Sequence, residues 1–107
     1  MTVYLVDTIE VAADRLEAYL ELVETVGVPV MTEAGARLDR CTATSVALGE
    51  PVEIQIVWSF DDHGQWNEIR KNMVLDPRWY EYGRRGASLR TGGTRRFHYP
   101  TPAAGGR

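Results

Sequence analysis

A chain of 107 residues, with 25% charged and 44% hydrophobic residues, has the composition of one folded domain with a single modest core. Its formal net charge of -3 excludes nucleic-acid binding driven by bulk electrostatics, and its one cysteine, Cys41, excludes an internal disulfide and fits a reducing compartment. No apolar run reaches membrane-spanning length and no basic segment leading into an apolar run opens the chain, so a cytoplasmic protein with no membrane partner is expected.

Residues 2–9, TVYLVDTI, are rich in β-branched and aromatic residues and predict a first strand. Val3, Leu5, Asp7 and Ile9 fall on one face, and Tyr4, Val6 and Thr8 on the other. Both faces carry apolar groups, so neither is expected to be simply wet. From about Ala12, the spacing of Leu16, Tyr19, Leu20, Val23 and Val26 predicts an amphipathic helix, with Glu17, Glu21 and Glu24 off the stripe. Pro29 is expected to interrupt or kink it, because proline supplies no amide hydrogen and crowds the preceding turn. VMTEAG adds a last turn, capped by Gly35.

ARLDRCTATSVAL, residues 36–48, predicts a second strand in which Cys41 is a small buried residue without a cue for a lowered pKa. GEP marks a turn, and VEIQIVWSF predicts the third strand and completes a hairpin. Ile54, Ile56, Trp58 and Phe60 share one face of it, and Glu53, Gln55, Val57 and Ser59 the other. Asp61 or Asp62 opens the next helix, with Gln65 in capping-box relation to Asp62 and with Trp66, Ile69 and Met73 as the buried stripe.

That helix stops near Leu75, and LDPRW restarts one at once, since Asp76 suits the cap and Pro77 the first helical position. Trp79, Tyr82, Gly86 and Leu89 then share a face. Gly83 and Gly86 each cost about 1 kcal/mol relative to alanine inside a helix, which predicts that another element approaches the backbone there. TGG is read as a turn into a short last strand, TRRFHYP, ended by Pro100. The run Arg84, Arg85, Arg90, Arg95 and Arg96 is read as a solvated face, with an anion or partner patch as the alternative. The domain spans 1–102, and 103–107 form a flexible tail.

The element order predicts an α+β, ferredoxin-like βαββαβ fold with an extra helix after the second helix and an antiparallel four-stranded sheet. Helices cover one face of such a sheet. A first strand that is apolar on both sides therefore predicts a second copy on the open face, giving a homodimer as a two-fold dimeric α+β barrel. AGARL, VWSFDD, NMVLDPRW and YPTP, spread over roughly Val3 to Pro102, resemble the NIPSNAP branch of the dimeric α+β barrel superfamily. The resemblance implies a ferredoxin-like dimer and no single established chemistry. Members of the branch often carry a histidine two residues before the third-strand tryptophan; this chain has Ile56 there.

No glycine-rich nucleotide loop, HExxH run or paired-cysteine metal motif is present, so neither a cofactor nor a metal site is expected. The chemistry expected of the architecture is a hollow between sheet and helices for a small apolar or aromatic ligand. His98 is the candidate general base, Asp7 its orienting partner and Tyr4 a further proton-transfer group. Arg40, Gln55, Trp58, Trp79, Tyr80, Tyr82 and Tyr99 are the candidate substrate contacts. Each has a plainer reading: His98 solvent-facing, Arg40 and Asp7 a structural ion pair, Trp58 a core or dimer-interface residue. Three functions stay open. These are a cofactor-free isomerase, cyclase or monooxygenase, as the superfamily resemblance allows; a non-catalytic binding or interaction module; and haem handling with His98 as ligand.

Overall fold

Four strands, β1 (Val3–Val11), β2 (Arg37–Ala43), β3 (Val52–Phe60) and β4 (Arg90–His98), form one antiparallel sheet of order β2-β3-β1-β4 in a computed structural model. The structure describes residues 1–47 and 49–105. Leu48, at the end of the expected second strand, and Gly106 and Arg107, in the expected tail, lie outside the described residues. β1 and β3 pair through Val3–Phe60, Leu5–Trp58, Asp7–Ile56, Ile9–Ile54 and Val11–Val52, which sets the largest apolar side chains on one face. Helices cover that face, as the ferredoxin-like α+β fold requires.

The first helical layer follows the predicted stripe but passes Pro29 without breaking. A short 3-10 turn (Ala13–Arg15) leads into α1 (Leu16–Leu22), a π-helical turn (Val23–Gly27) and α2 (Val28–Ala34). In the wide turn the Val28 amide donates to the Val23 carbonyl, five residues back. That shift places Pro29 in the first turn of a fresh helix, where its missing amide costs little, so the expected interruption becomes a π bulge. Tyr19, Leu22, Val23, Val30 and Met31 enter the core. Gly35 ends the layer in left-handed conformation, φ 118°, and the Ala36 amide closes onto the Met31 carbonyl at 3.0 Å.

The Asp62 carboxylate accepts the Gln65 amide at 2.8 Å to open α3 (His63–Val74), and the Gln65 side chain accepts in turn from the Asp61 amide. Trp66, Ile69 and Met73 are its buried residues, as the spacing predicts. Asp76 caps α4 (Pro77–Leu89) by accepting the Arg78 amide at 2.9 Å. The Arg78 guanidinium bonds Asp76 at 2.7 Å and Glu33 at 2.9 Å, tying the restart to α2 and holding both carboxyls below their usual range. DPRW is therefore a joint between helices.

Several expectations are corrected. β2 stops at Ala43, and β4 begins at Arg90 directly after α4, so TGG lies inside the strand and bends it with a bulge opposite Glu10 and Val11. Cys41 is exposed, because β2 is an edge strand reached by few helix residues; partial burial nonetheless raises its thiol pKa. A single helical turn, α5 (Pro102–Gly105), follows Pro100. The open sheet face carries Tyr4, Val6 and Thr8 beside Ser59, Val57 and Gln55, with Thr94, Arg96 and His98 on β4. Val6 and Val57 are already buried within the single chain, so this face is less apolar than β1 alone suggests. No helix among the described residues is long and apolar enough to cross a membrane.

Candidate ligand chamber

β1 and β4 are neighbours, and their register sets Asp7 opposite Arg95 on the helix-covered face. α4 crosses above them with Trp79, Tyr82 and Gly83, α1 contributes Tyr19, and the first residue of β4 contributes Arg90. Between these elements lies a partly enclosed cavity of about 280 Å³, whose walls also include Ile9 and Thr94. A volume of that order holds a small organic molecule.

The floor is an ion pair. Asp7, 5% exposed, accepts from Arg95 Nε at 2.6 Å, Arg95 Nη2 at 2.9 Å and Trp58 Nε1 at 3.1 Å. Both carboxylate oxygens are thus satisfied, the condition under which a buried charge is tolerated. Burial works against the charge on Arg95, but the Asp7 hydrogen bonds and charge outweigh it and raise the guanidinium pKa. The Trp79 ring lies over the same guanidinium, 5.3 Å from ring centre to guanidinium carbon, as a cation–π contact.

The roof holds two phenols. Burial raises the Tyr19 pKa against the charge and hydrogen bond of Arg90 and the hydrogen bond of Tyr82. Burial raises Tyr82 far more, helped by the neighbouring Tyr19 and Asp7. Both hydroxyls therefore stay protonated at neutral pH. Glycines make the room. A β-carbon on Gly27 would sit 2.7 Å from the Tyr82 ring, and one on Gly86 would sit 2.8 Å from Arg90 Nη1. Gly83, also predicted to admit a neighbouring element, admits none: no atom lies within 4 Å of its β-carbon position, which opens on the cavity instead.

Of the residues singled out in the sequence, the chamber gathers Asp7, Trp79 and Tyr82. Trp58, 1% exposed, stands behind the wall as a donor to Asp7. Tyr80 points outward and donates to the Val74 carbonyl at 3.0 Å, so it does not wall the cavity. Tyr4 and His98 pair across β1 and β4 on the open face, and Arg40 bonds Gln55 there at 2.9 Å. Tyr99 lies past β4, bonded to His63.

His98 and Asp7 thus occupy opposite faces of adjacent strands, and Asp7 does not orient the imidazole; nor does Arg40 pair with Asp7. Side-chain alternation produces both results. Arg90 and Arg95 leave the supposed solvated run to build the chamber. Tyr19 stood on the predicted helical stripe as a core residue, and only the packing of α1 against α4 brings it to the site. Among the described residues no group of three or more His, Cys, Asp or Glu side chains could hold a metal ion.

No protein-family model matches the chain, and no curated protein does. Solved structures do. An uncharacterised NIPSNAP domain protein from Burkholderia xenovorans matches over 94% of this chain and 95% of its own, at 22% identity and a TM-score of 0.75. A NIPSNAP family protein from Agrobacterium tumefaciens matches over 94% of each chain at 18% identity and a TM-score of 0.77. A protein from Nitrosomonas europaea, named as a candidate antibiotic biosynthesis monooxygenase, matches over 94% of this chain and 93% of its own at 12% identity and a TM-score of 0.64. The chain therefore has the ferredoxin-like α+β fold of the NIPSNAP-domain proteins.

Proposed function

We propose that this chain is a small cofactor-free enzyme of the isomerase, cyclase or monooxygenase type, acting on an apolar, aromatic or polyketide-like molecule held in the chamber. One observation carries the reading: two tyrosines and an ion-paired carboxylate line one cavity together with Trp79. Convergent polar groups in an otherwise apolar hollow are the usual signature of a small-molecule site. A flat conjugated ligand would lie against Trp79 and Ile9 with a carbonyl turned to Tyr82 and Tyr19. Neutral phenols aimed at that oxygen stabilise the negative charge that develops when an adjacent carbon loses a proton or a ring closes. The name carried by the Nitrosomonas europaea structure agrees in direction, by fold alone.

Turnover-free binding is the second reading, favoured because both oxygens of Asp7, the one carboxylate in the lining, are already engaged by three donors. Haem handling loses its support, since His98 stands on the opposite sheet face and no histidine, cysteine or methionine lines the cavity. The proposal includes a homodimer through the open sheet face and work in the cytoplasm, where the exposed Cys41 thiol stays reduced.

The test uses 2-tetralone, a flat, neutral, enolisable ketone, in deuterated buffer. Faster deuterium entry beside the carbonyl than in protein-free buffer, falling by about a hundredfold in Tyr82→Phe, is the expected result. Quenching of tryptophan fluorescence without exchange selects the second reading. No quenching and no exchange would remove both.

A further inference from the structure

The charges in the chamber do not balance. Its lining holds one carboxylate, Asp7, and two guanidiniums, Arg90 and Arg95. Asp7 and Arg95 neutralise each other through two short hydrogen bonds. Arg90 belongs to no ion pair among the described residues, and its neighbours at the cavity are the Tyr19 phenol and the backbone of Gly86. Arg90 is half-buried, and the one carboxylate in the lining is already taken by Arg95. The guanidinium lies close over α4, with Nη1 2.8 Å from where a β-carbon on Gly86 would stand.

We propose that Arg90 is the receptor for a permanent negative charge on the ligand, and that the chamber takes a flat aromatic or conjugated monocarboxylate. The inference rests on the small-molecule reading of the chamber and adds the charge class of what it holds. The carboxylate meets the Arg90 guanidinium at the Tyr19 end. The apolar body lies along Ile9 and Trp79, and the Asp7–Arg95 pair, internally neutral, forms a floor that neither attracts nor repels it. One free guanidinium selects a single charge; a dianion would leave its second charge against Asp7. A planar fork matched to two carboxylate oxygens also gives orientation as well as attraction.

The probes are 2-naphthoate and its neutral near-isostere 2-naphthamide, titrated calorimetrically into the full chain. Naphthoate is expected to bind about tenfold tighter or better, the ratio a charge-assisted hydrogen bond supplies. That preference should vanish in Arg90→Gln, persist in Arg90→Lys, and persist in Arg96→Gln, whose cation lies on the open sheet face. Equal affinities, a preference for the amide, or a carboxylate preference that survives in Arg90→Gln would overturn the assignment while leaving a working chamber. Binding of neither probe would take the chamber reading down with it. If Arg90→Gln does not fold, the wild-type pair of affinities decides alone.

Discussion

Tyr82 is the residue on which most of the site's physics converges. It is 9% exposed, and its ring fills the space left by Gly27. Burial raises its folded pKa above the ordinary value of 10.0, while the unfolded chain titrates near that ordinary value. Below about pH 10 both states hold the proton and the full stability is present. As pH rises further the unfolded state releases the proton that the folded state keeps, so stability is lost, by up to about 1.4 kcal/mol per pH unit for each such phenol. Wild-type urea midpoints should therefore fall steeply between pH 10 and 11. Tyr82→Phe should show a shallower alkaline decline. Parallel declines for the two proteins would show that Tyr82 is not held protonated by the fold. Sequence identified Tyr82 by its place on a helical face, as it did Trp79. It could not identify Arg90 or Arg95, because a charged residue just before or within a short strand looks solvated until the register with Asp7 is known.

At the level of elements, the predicted units were legible wherever a local rule governed them. The Asp62 and Asp76 caps, the stripe of α3 and the alternation of β3 depend on neighbours within a few positions, and all are present. The passage of Pro29 through a π turn was not legible, because it depends on Gly27 yielding space to a ring on α4, more than fifty positions away. This gives two glycines opposite fates. In Gly27→Ala the new methyl would lie 2.7 Å from the buried Tyr82 ring, and overpacking of that kind costs about 1–3 kcal/mol, more than the roughly 1 kcal/mol returned by helix propensity. Gly83→Ala meets no atom within 4 Å, so propensity stabilises it by up to about 1 kcal/mol while the methyl narrows the cavity. Thermal melts and 2-naphthoate titrations should separate the two: lower Tm for the first, higher Tm with weaker binding for the second. A Tm rise in Gly27→Ala would mean that the Tyr82 ring moves aside freely, and the packing of α4 on the π turn would need another account.

For the molecule as a whole, the sheet has one face covered by its own helices and one open, as the element order predicted, while β1 carries apolar groups on both. What β1 alone overstated is how apolar the open face is. Strands β2 and β4, which supply most of its polar groups, are short in sequence signal and only the assembled sheet shows Arg40, Arg96, His98 and Gln55 surrounding Val6 and Val57. A second copy seated there would bury a small apolar centre inside a polar rim, the composition of an interface between separately folded partners rather than of a split core. The expected state in dilute solution is a dimer of twice the 12.0 kDa chain mass, and its affinity should be moderate and sensitive to charge at the centre. Thr8 lies on the open face, opposite Gln55 and Thr94 and only half-buried in the single chain, so Thr8→Arg leaves the fold intact while setting a cation beside Arg96. Sedimentation velocity should then report a monomer with unchanged circular dichroism. Because Asp7, Ile9 and Arg95 place the chamber on the helix-covered face, the monomeric variant should keep its affinity for 2-naphthoate. A Thr8→Arg protein that still sediments as a dimer would move the interface off the sheet. Loss of binding along with dimerisation would mean that the partner completes the chamber.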